Sequence, residues 1–285
     1  MVAHCVASVA AAAVTSQAVV RFAIMRCTVA RFRVKSGSCQ RRPTLIILSV
    51  DWVVGTPRTL ISIRGSIDYM LLKTADGIDF EIFLHGPDDA AAGVLLVHDW
   101  WGVLDYNHDW ADRLVAMGYQ VLLIDLYDGE RARNAEEAGE MMRGLDQVVA
   151  DSKLITAIDF LKRDQRPLAT LGWSFGGRQA MQAALLDPET VVATVLFYCR
   201  MVTDVDQLSQ LGGPVLAFYA ESERTWPDKM ERFSQAMSAA GQQVVTVTYS
   251  ADHGFVNPRS ERYNAAASAA AWEQTENFLR QQLAV

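Results

Sequence analysis

The sequence predicts an α/β fold, a mostly parallel, doubly wound sheet with helices on both faces. Three observations predict it. From Met70 onward, short apolar runs alternate with stretches of helical periodicity. No internal repeat or low-complexity linker interrupts this alternation. One apolar run passes directly into Gly172-Trp173-Ser174-Phe175-Gly176 and then into a helical pattern, the strand–turn–helix in which a nucleophile elbow is built. Strands separated by helices of this length require right-handed crossovers, which make neighbouring strands parallel.

Taken in order, Met70 to Lys73 and Phe80 to Leu84 flank the turn Asp76-Gly77 and predict an opening hairpin. Val94 to His98, Gln120 to Ile124, Ala169 to Gly172, Val191 to Tyr198, Pro214 to Tyr219 and Val244 to Tyr249 predict six further strands. Continuous runs of Val, Leu and Ile suit strands buried on both faces. Helices are predicted near Trp110 to Met117, Asp146 to Lys162, Gly177 to Leu186, Lys229 to Ala240 and Tyr263 to Leu283. In the third of these, Ala180, Met181, Ala184 and Leu185 recur at helical spacing.

The 285 residues are 51% hydrophobic and 21% charged, ordinary for a soluble globular protein with one main domain. Charge is unevenly divided along the chain. Of 26 Lys and Arg and 33 Asp and Glu, nine basic residues and one acid, Asp51, precede residue 67, which leaves 17 and 32 after it and a formal charge of −15 there. So acidic a body argues against a nucleic-acid partner. Cys5, Cys27 and Cys39 also lie in the N-terminal stretch, without the CxxC spacing or paired histidines of a metal site. The body holds only Cys199, so no disulfide forms within it, which suits a reducing compartment such as the cytoplasm or a chain indifferent to compartment.

Residues 1 to 66 are expected to form an extension outside the core, and residues 67 to 285 the folded body. Beyond Thr44 to Val50 the extension carries no amphipathic or strand pattern, and the alanine-rich run Val6 to Val14 is too short to span a bilayer, so no membrane partner is expected. Its acid-poor, arginine-containing composition fits a transit peptide, and its alanine-rich run fits a signal segment without a basic n-region. A start assigned too far upstream, with Met70 at the first regular strand, is the favoured third reading.

In doubly wound sheets chemistry gathers at the carboxyl ends of the strands, which selects the polar residues to test. Ser174 sits where glycines on both flanks relieve a sharp turn and hold the hydroxyl out above the sheet. A serine hydroxyl needs a base, and the base needs an orienting group. Of five histidines, His4 lies in the extension, His85 closes an early strand, His108 opens a helix as a solvated terminal residue, and His98 precedes the nucleophile, where it holds a loop. His253, in Ala251-Asp-His-Gly-Phe255, follows the last strand and fits the chain order serine, acid, histidine. The acid belongs after the strand ending at Tyr219, where Glu221 and Glu223 both qualify and residue chemistry does not rank them. Backbone N–H donors for a developing oxyanion come from Phe175 and from a residue of Asp99 to Gly102, where Trp101 is a candidate pocket wall.

With Val97-His-Asp-Trp-Trp-Gly-Val103, Asp125-Leu-Tyr127, the elbow and Ala251-Asp-His-Gly-Phe255 in this order, the chain resembles the dienelactone hydrolase family over roughly Met70 to Leu283. The resemblance implies an α/β-hydrolase fold acting on carboxylic esters or lactones, with neither cofactor nor metal. It places the family acid four residues before the loop proline, at Glu223, the second oxyanion donor at the N–H of Trp100, and the family's glutamate near the nucleophile at Asp99. Two departures stand out. The best-known members carry cysteine in the elbow where this chain has Ser174. Gly139 and Asn257 stand near the places where dienelactone-specific members bind a substrate carboxylate through arginine and tyrosine; Arg131, Arg133, Arg200 and Arg259 are the substitutes to test.

The sequence therefore reads as a serine hydrolase cleaving a small ester or lactone through Ser174, His253 and Glu223. A non-catalytic hydrolase-fold protein that binds a small molecule is the alternative from another class; a peptidase-like hydrolase of the same fold is the alternative within it. The acyl and alcohol groups and the oligomeric state are not encoded in any motif found.

Overall fold

Parallel pairing dominates the centre of a sheet that the computed structural model describes for residues 46–53, 56–63 and 67–283, with side chains from residue 69 onward. The strands are β1 (Ile46–Val53), β2 (Thr56–Ile63), β3 (Ile67–Lys73), β4 (Asp79–His85), β5 (Gly93–Val97), β6 (Gln120–Ile124), β7 (Leu168–Trp173), β8 (Val191–Phe197), β9 (Val215–Ala220) and β10 (Val244–Tyr249). Their order across the sheet is β1-β2-β3-β4-β6-β5-β7-β8-β9-β10. From β6 to β10 the strands run parallel, and β1 to β4 extend one edge in antiparallel fashion. Strands β5, β6, β7 and β9 are buried along their whole length, as their unbroken apolar sequences require.

The helices are α1 (Asp105–Val115), α2 (Ala135–Gly144), α3 (Gln147–Leu161), α4 (Phe175–Leu186), α5 (Val205–Leu208), α6 (Asp228–Ala239) and α7 (Ala265–Leu283). Two apolar cores separate them by face. One gathers Leu154, Ile158, Met181, Ala184, Phe233 and Met237 from α3, α4 and α6. The other gathers Trp110, Leu114, Ala271, Phe278 and Leu279 from α1 and α7.

Every strand expected from the sequence in the body is present, and the sheet is doubly wound as expected. The differences have physical causes. Helix α2 is absent from the expected set because its apolar stripe is short, Ala138, Met141 and Met142 among charged residues, with Met141 packed on the core; its capping, by Asn134 accepting from the N–H groups of Glu136 and Glu137, is a further local signal. Helix α1 starts five residues before Trp110, since Leu104 is a poor cap by type and Asn107 reaches back to the Leu104 N–H instead (2.8 Å). The sheet also begins upstream of residue 67. Strand β2, which carries Pro57 as its second residue, pairs with β3, and β1 pairs with β2. The rest of residues 1 to 66, with the expected Cys5, Cys27 and Cys39 stretch, lies outside the described residues.

Three residue pairs, Leu60 with Met70 to Ser62 with Asp68, join β2 to β3, whereas β4 pairs with all seven residues of β3. A chain shortened to begin at Ile67 is accordingly expected to fold and to keep a cooperative thermal melt. An insoluble product, or a melt far below that of the full chain, would put residues 46–63 into the core instead.

Candidate active site

Strand β7 carries six buried residues into Ser174, whose backbone stands at φ 53° and ψ −113°. A serine there is strained by about 1–3 kcal/mol. What forces the strain is the immediate start of α4 at Phe175. A Cβ on Gly172 would lie 2.1 Å from the Gly176 carbonyl oxygen, and a Cβ on Gly176 would lie 2.1 Å from that of His98 at the end of β5. The two glycines permit three backbones to meet at this point. The Ser174 N–H donates to the Phe197 carbonyl (2.9 Å), which ties the turn to β8. Because α4 opens at Phe175, its first N–H groups have no partner within the helix.

Above the elbow, Ser174 Oγ lies 2.8 Å from His253 Nε2. Nδ1 of the same ring donates to Glu223 Oε1, and Lys229 Nζ donates to Glu223 Oε2. The Glu223 side chain is 11% exposed and His253 38%. Burial pushes the Glu223 carboxyl up, but the hydrogen bonds from His253 and Lys229 and their charges outweigh burial and hold it below the usual range. An ionised Glu223 leaves Nδ1 as the donor, so Nε2 presents its lone pair to the serine hydroxyl. Glu221 faces elsewhere. Its carboxylate accepts from Ser250 and its N–H donates to the Tyr249 carbonyl, both at the end of β10.

The loop after β5 is held by groups that expose little of themselves. His98 is fully buried; burial holds its imidazole neutral, opposed by the nearby Asp125 charge. Its Nε2 accepts from the Leu126 N–H (3.0 Å), so Nδ1 carries the proton and donates to the Asp99 carbonyl (2.6 Å). That carbonyl belongs to the same planar peptide as the Trp100 N–H. His98 thereby sets the plane of the peptide bearing the expected second oxyanion donor. The Asp99 carboxylate accepts from the Trp101 N–H (2.9 Å) and the Tyr106 hydroxyl (2.8 Å). Burial nevertheless raises its pKa to about 6, against the opposing effects of those two hydrogen bonds and of the His253 charge. Trp100 and Trp101 pack edge to face (5.3 Å) and lean against opposite cores.

The remaining candidates fall outside this constellation. Arg133 pairs with Glu137 and Arg259 with Asp105 (2.6 Å), while Arg131 and Arg200 are exposed. Gly139 and Asn257 are buried, Asn257 accepting from the Arg259 N–H. His108 is not the solvated terminal residue expected of it: it is half-buried, its Nδ1 3.2 Å from Nε2 of the buried His85, which also bonds Asp112 (2.9 Å). Helix α1 packs against β4 there, which closes both rings in. Cys199 is buried, and burial pushes its thiol up to about 12, so it is a poor nucleophile. Among the described residues, no group of three His, Cys, Asp or Glu is placed to hold a metal, and no helix is long and apolar enough to cross a membrane.

Three contributors had no sequence signal. Lys229 reaches Glu223 from the first turn of α6, Tyr106 reaches Asp99 from α1, and the Tyr198 ring lies 4.9 Å from that of His253. Each is an aromatic or charged residue whose spacing to its partner repeats no motif.

The model of the dienelactone hydrolase family matches residues 80–283. The chain is 26% identical over 224 residues to Protein usf of Aquifex pyrophilus, with 73% of the chain and 96% of that protein covered. It is 23% identical over 227 residues to the carboxymethylenebutenolidase of Rhodococcus opacus, with 73% and 89% covered. Among solved structures it is similar to dienelactone hydrolase from Anabaena variabilis (TM-score 0.57, 23% identity, 77% of this chain and 100% of that one). It is also similar to a dienelactone hydrolase-like promiscuous phosphotriesterase from metagenomic libraries (TM-score 0.68, 18% identity, 76% and 99%). At these identities the structural likeness shows the fold.

Two stability measurements follow from the geometry. Ser174→Gly releases the strain at φ 53° that Ser174→Ala keeps, so the glycine variant is expected to be the more stable of the two in urea, by about 1 kcal/mol; equal stability would mean that the elbow stores no strain. Asp99 holds its proton more tightly folded than unfolded, so its contribution to stability falls as pH rises from about 4 through about 6 and is flat above. The wild type is thus expected to lose up to about 3 kcal/mol across that window that Asp99→Asn does not lose. Parallel slopes for the two proteins would show that the carboxyl titrates normally.

Proposed function

Because the chain belongs to the dienelactone hydrolase family, whose members are carboxylic ester hydrolases, we propose that it cleaves a small carboxylic ester or lactone as a serine hydrolase, through an acyl-enzyme. The observation that carries the reading is the continuous contact from Ser174 Oγ through both ring nitrogens of His253 to an ionised Glu223. In the proposed reaction the hydroxyl proton passes to His253 Nε2 as Oγ attacks the carbonyl carbon. The tetrahedral oxyanion is received by the N–H groups of Phe175 and Trp100. The imidazolium, stabilised by Glu223, protonates the departing alkoxide, and a water activated by the same imidazole then releases the acyl group as acid. For a lactone, the alcohol released in the first half stays joined to the acyl group. Asp99 serves as support for the oxyanion loop, and Trp101 as a wall of the pocket mouth.

A protein that only binds small molecules has no use for this chain of contacts, and fluorophosphonate labelling separates the two. Wild type is expected to be labelled and to hydrolyse p-nitrophenyl esters, and Ser174→Ala to do neither while folding normally. Glu223→Gln is expected to lower turnover by roughly 10³–10⁴-fold, since the charge that stabilises imidazolium is gone. Glu221→Gln, at a side chain that bonds Ser250 and not His253, is expected to stay within about threefold of wild type, because it removes no contact of the relay. A large loss at Glu221 with near-normal turnover at Glu223 would reverse the assignment; small losses at both would remove the glutamates from the mechanism.

A further inference from the structure

The proposed relay uses one oxygen of Glu223, and the other is not left to water. Oε2 accepts from Lys229 Nζ, and the two side chains are 11% and 16% exposed. A lysine drawn this far out of solvent loses rotamer freedom and hydration, and such burial is found where the ammonium is paired. Helix geometry supplies the placement. Lys229 is the second residue of α6, its N–H donates to the Thr225 carbonyl (2.9 Å), and its ammonium also lies 5.9 Å from the centroid of the Tyr219 ring at the end of β9. The loop from Glu223 to Pro227 thus turns back on itself, and its two ends are closed by this ion pair.

We propose that Lys229 is a positioning residue of the hydrolytic site, one that clamps the Glu223 carboxylate and sets the charge His253 faces; this rests on the relay proposed above. Held at both oxygens, the carboxylate cannot swing away from Nδ1. The electrostatic consequence is separate. Imidazolium forming on His253 meets a carboxylate already paired with an ammonium, so Lys229 offsets part of the stabilisation that Glu223 gives that charge. Asp99 is the other carboxyl acting on His253, and the Tyr198 ring packs on the imidazole. Beside Glu223 and Lys229 lie Cys199 and Tyr219. Burial raises the pKa of Tyr198, Cys199 and Tyr219, so these three stay protonated near neutral pH. Glu223, Lys229 and Asp99 are charged groups acting at the ring, with Asp252 beside it in the chain.

The test is the pH dependence of kcat/KM with p-nitrophenyl acetate for wild type, Lys229→Met, Lys229→Gln and Lys229→Arg, with Glu223→Gln measured in parallel. Lys229→Met is expected to lower kcat by about tenfold or more with KM within about threefold, and to move the acidic limb up by roughly 0.5–1 pH unit. Lys229→Gln keeps a hydrogen-bond donor without the charge. It is expected to recover much of kcat while keeping the displaced limb, and it carries the test alone should the methionine variant fail to fold. Lys229→Arg is expected to restore the limb to its wild-type position. An acidic limb unmoved in both uncharged variants overturns the proposal, even if kcat falls. Near-normal turnover in Glu223→Gln would instead overturn the relay itself, so the two failures are told apart.

Discussion

The meeting of three backbones at the end of β7 is the constraint on which the rest of the structure depends. Gly172 and Gly176 leave no room for a side chain against each other or against the His98 carbonyl. That closeness lets α4 begin one residue after Ser174, and it puts the end of β5 alongside the same turn. The serine, the first free N–H groups of a helix and the start of the Asp99 to Gly102 loop therefore adjoin one another. A larger residue at either glycine would have to push the helix off the strand, and the three parts would separate. The strain at Ser174 is borne by the surrounding sheet, whose central strands are buried on both faces.

Around that turn, two buried carboxyl groups receive opposite treatment. Glu223 accepts from an imidazole and an ammonium and is held ionised in spite of burial. Asp99 accepts from a peptide N–H and a phenol, with no cation bonded to it, and burial lifts it to about 6. The difference suits the tasks proposed for them. An acid that supports imidazolium must keep its charge, whereas an acid that braces a loop needs only its lone pairs. His98 braces the same loop one peptide earlier, at the Asp99 carbonyl, and the Leu126 N–H donating to its Nε2 fixes the tautomer that the contact needs.

Much of the fold was legible because its signals are local. An apolar run of five or six residues, a glycine-flanked serine and a helical stripe each report on residues within a few positions of one another. The same reasoning failed where the local signal was weak or contrary. Helix α2 has only the short apolar stripe Ala138, Met141 and Met142, α1 is capped by a leucine whose N–H is served from Asn107, and β2 carries Pro57 and follows Gly55.

By itself, the sequence determined the doubly wound sheet, the strand–Ser174–helix turn, and a histidine, His253, after the last strand, because apolar periodicity and the steric demands of a tight turn are properties of short segments. Residue chemistry left Glu221 and Glu223 level and the family resemblance pointed to Glu223; the tertiary structure adds that the Glu223 carboxylate, and not that of Glu221, bonds His253. The two glutamates stand two residues apart on one loop, and the choice depends on which carboxylate reaches His253, thirty residues away in sequence and brought near by the parallel pairing of β9 with β10. Lys229, Tyr106 and the His98 hold on the Asp99 peptide were decided there as well. Lys229 and Tyr106 reach in from helices, and the tautomer of His98 is set by the Leu126 N–H, 28 residues on; distances between elements are fixed by sheet order and helix packing, which no spacing along the chain records.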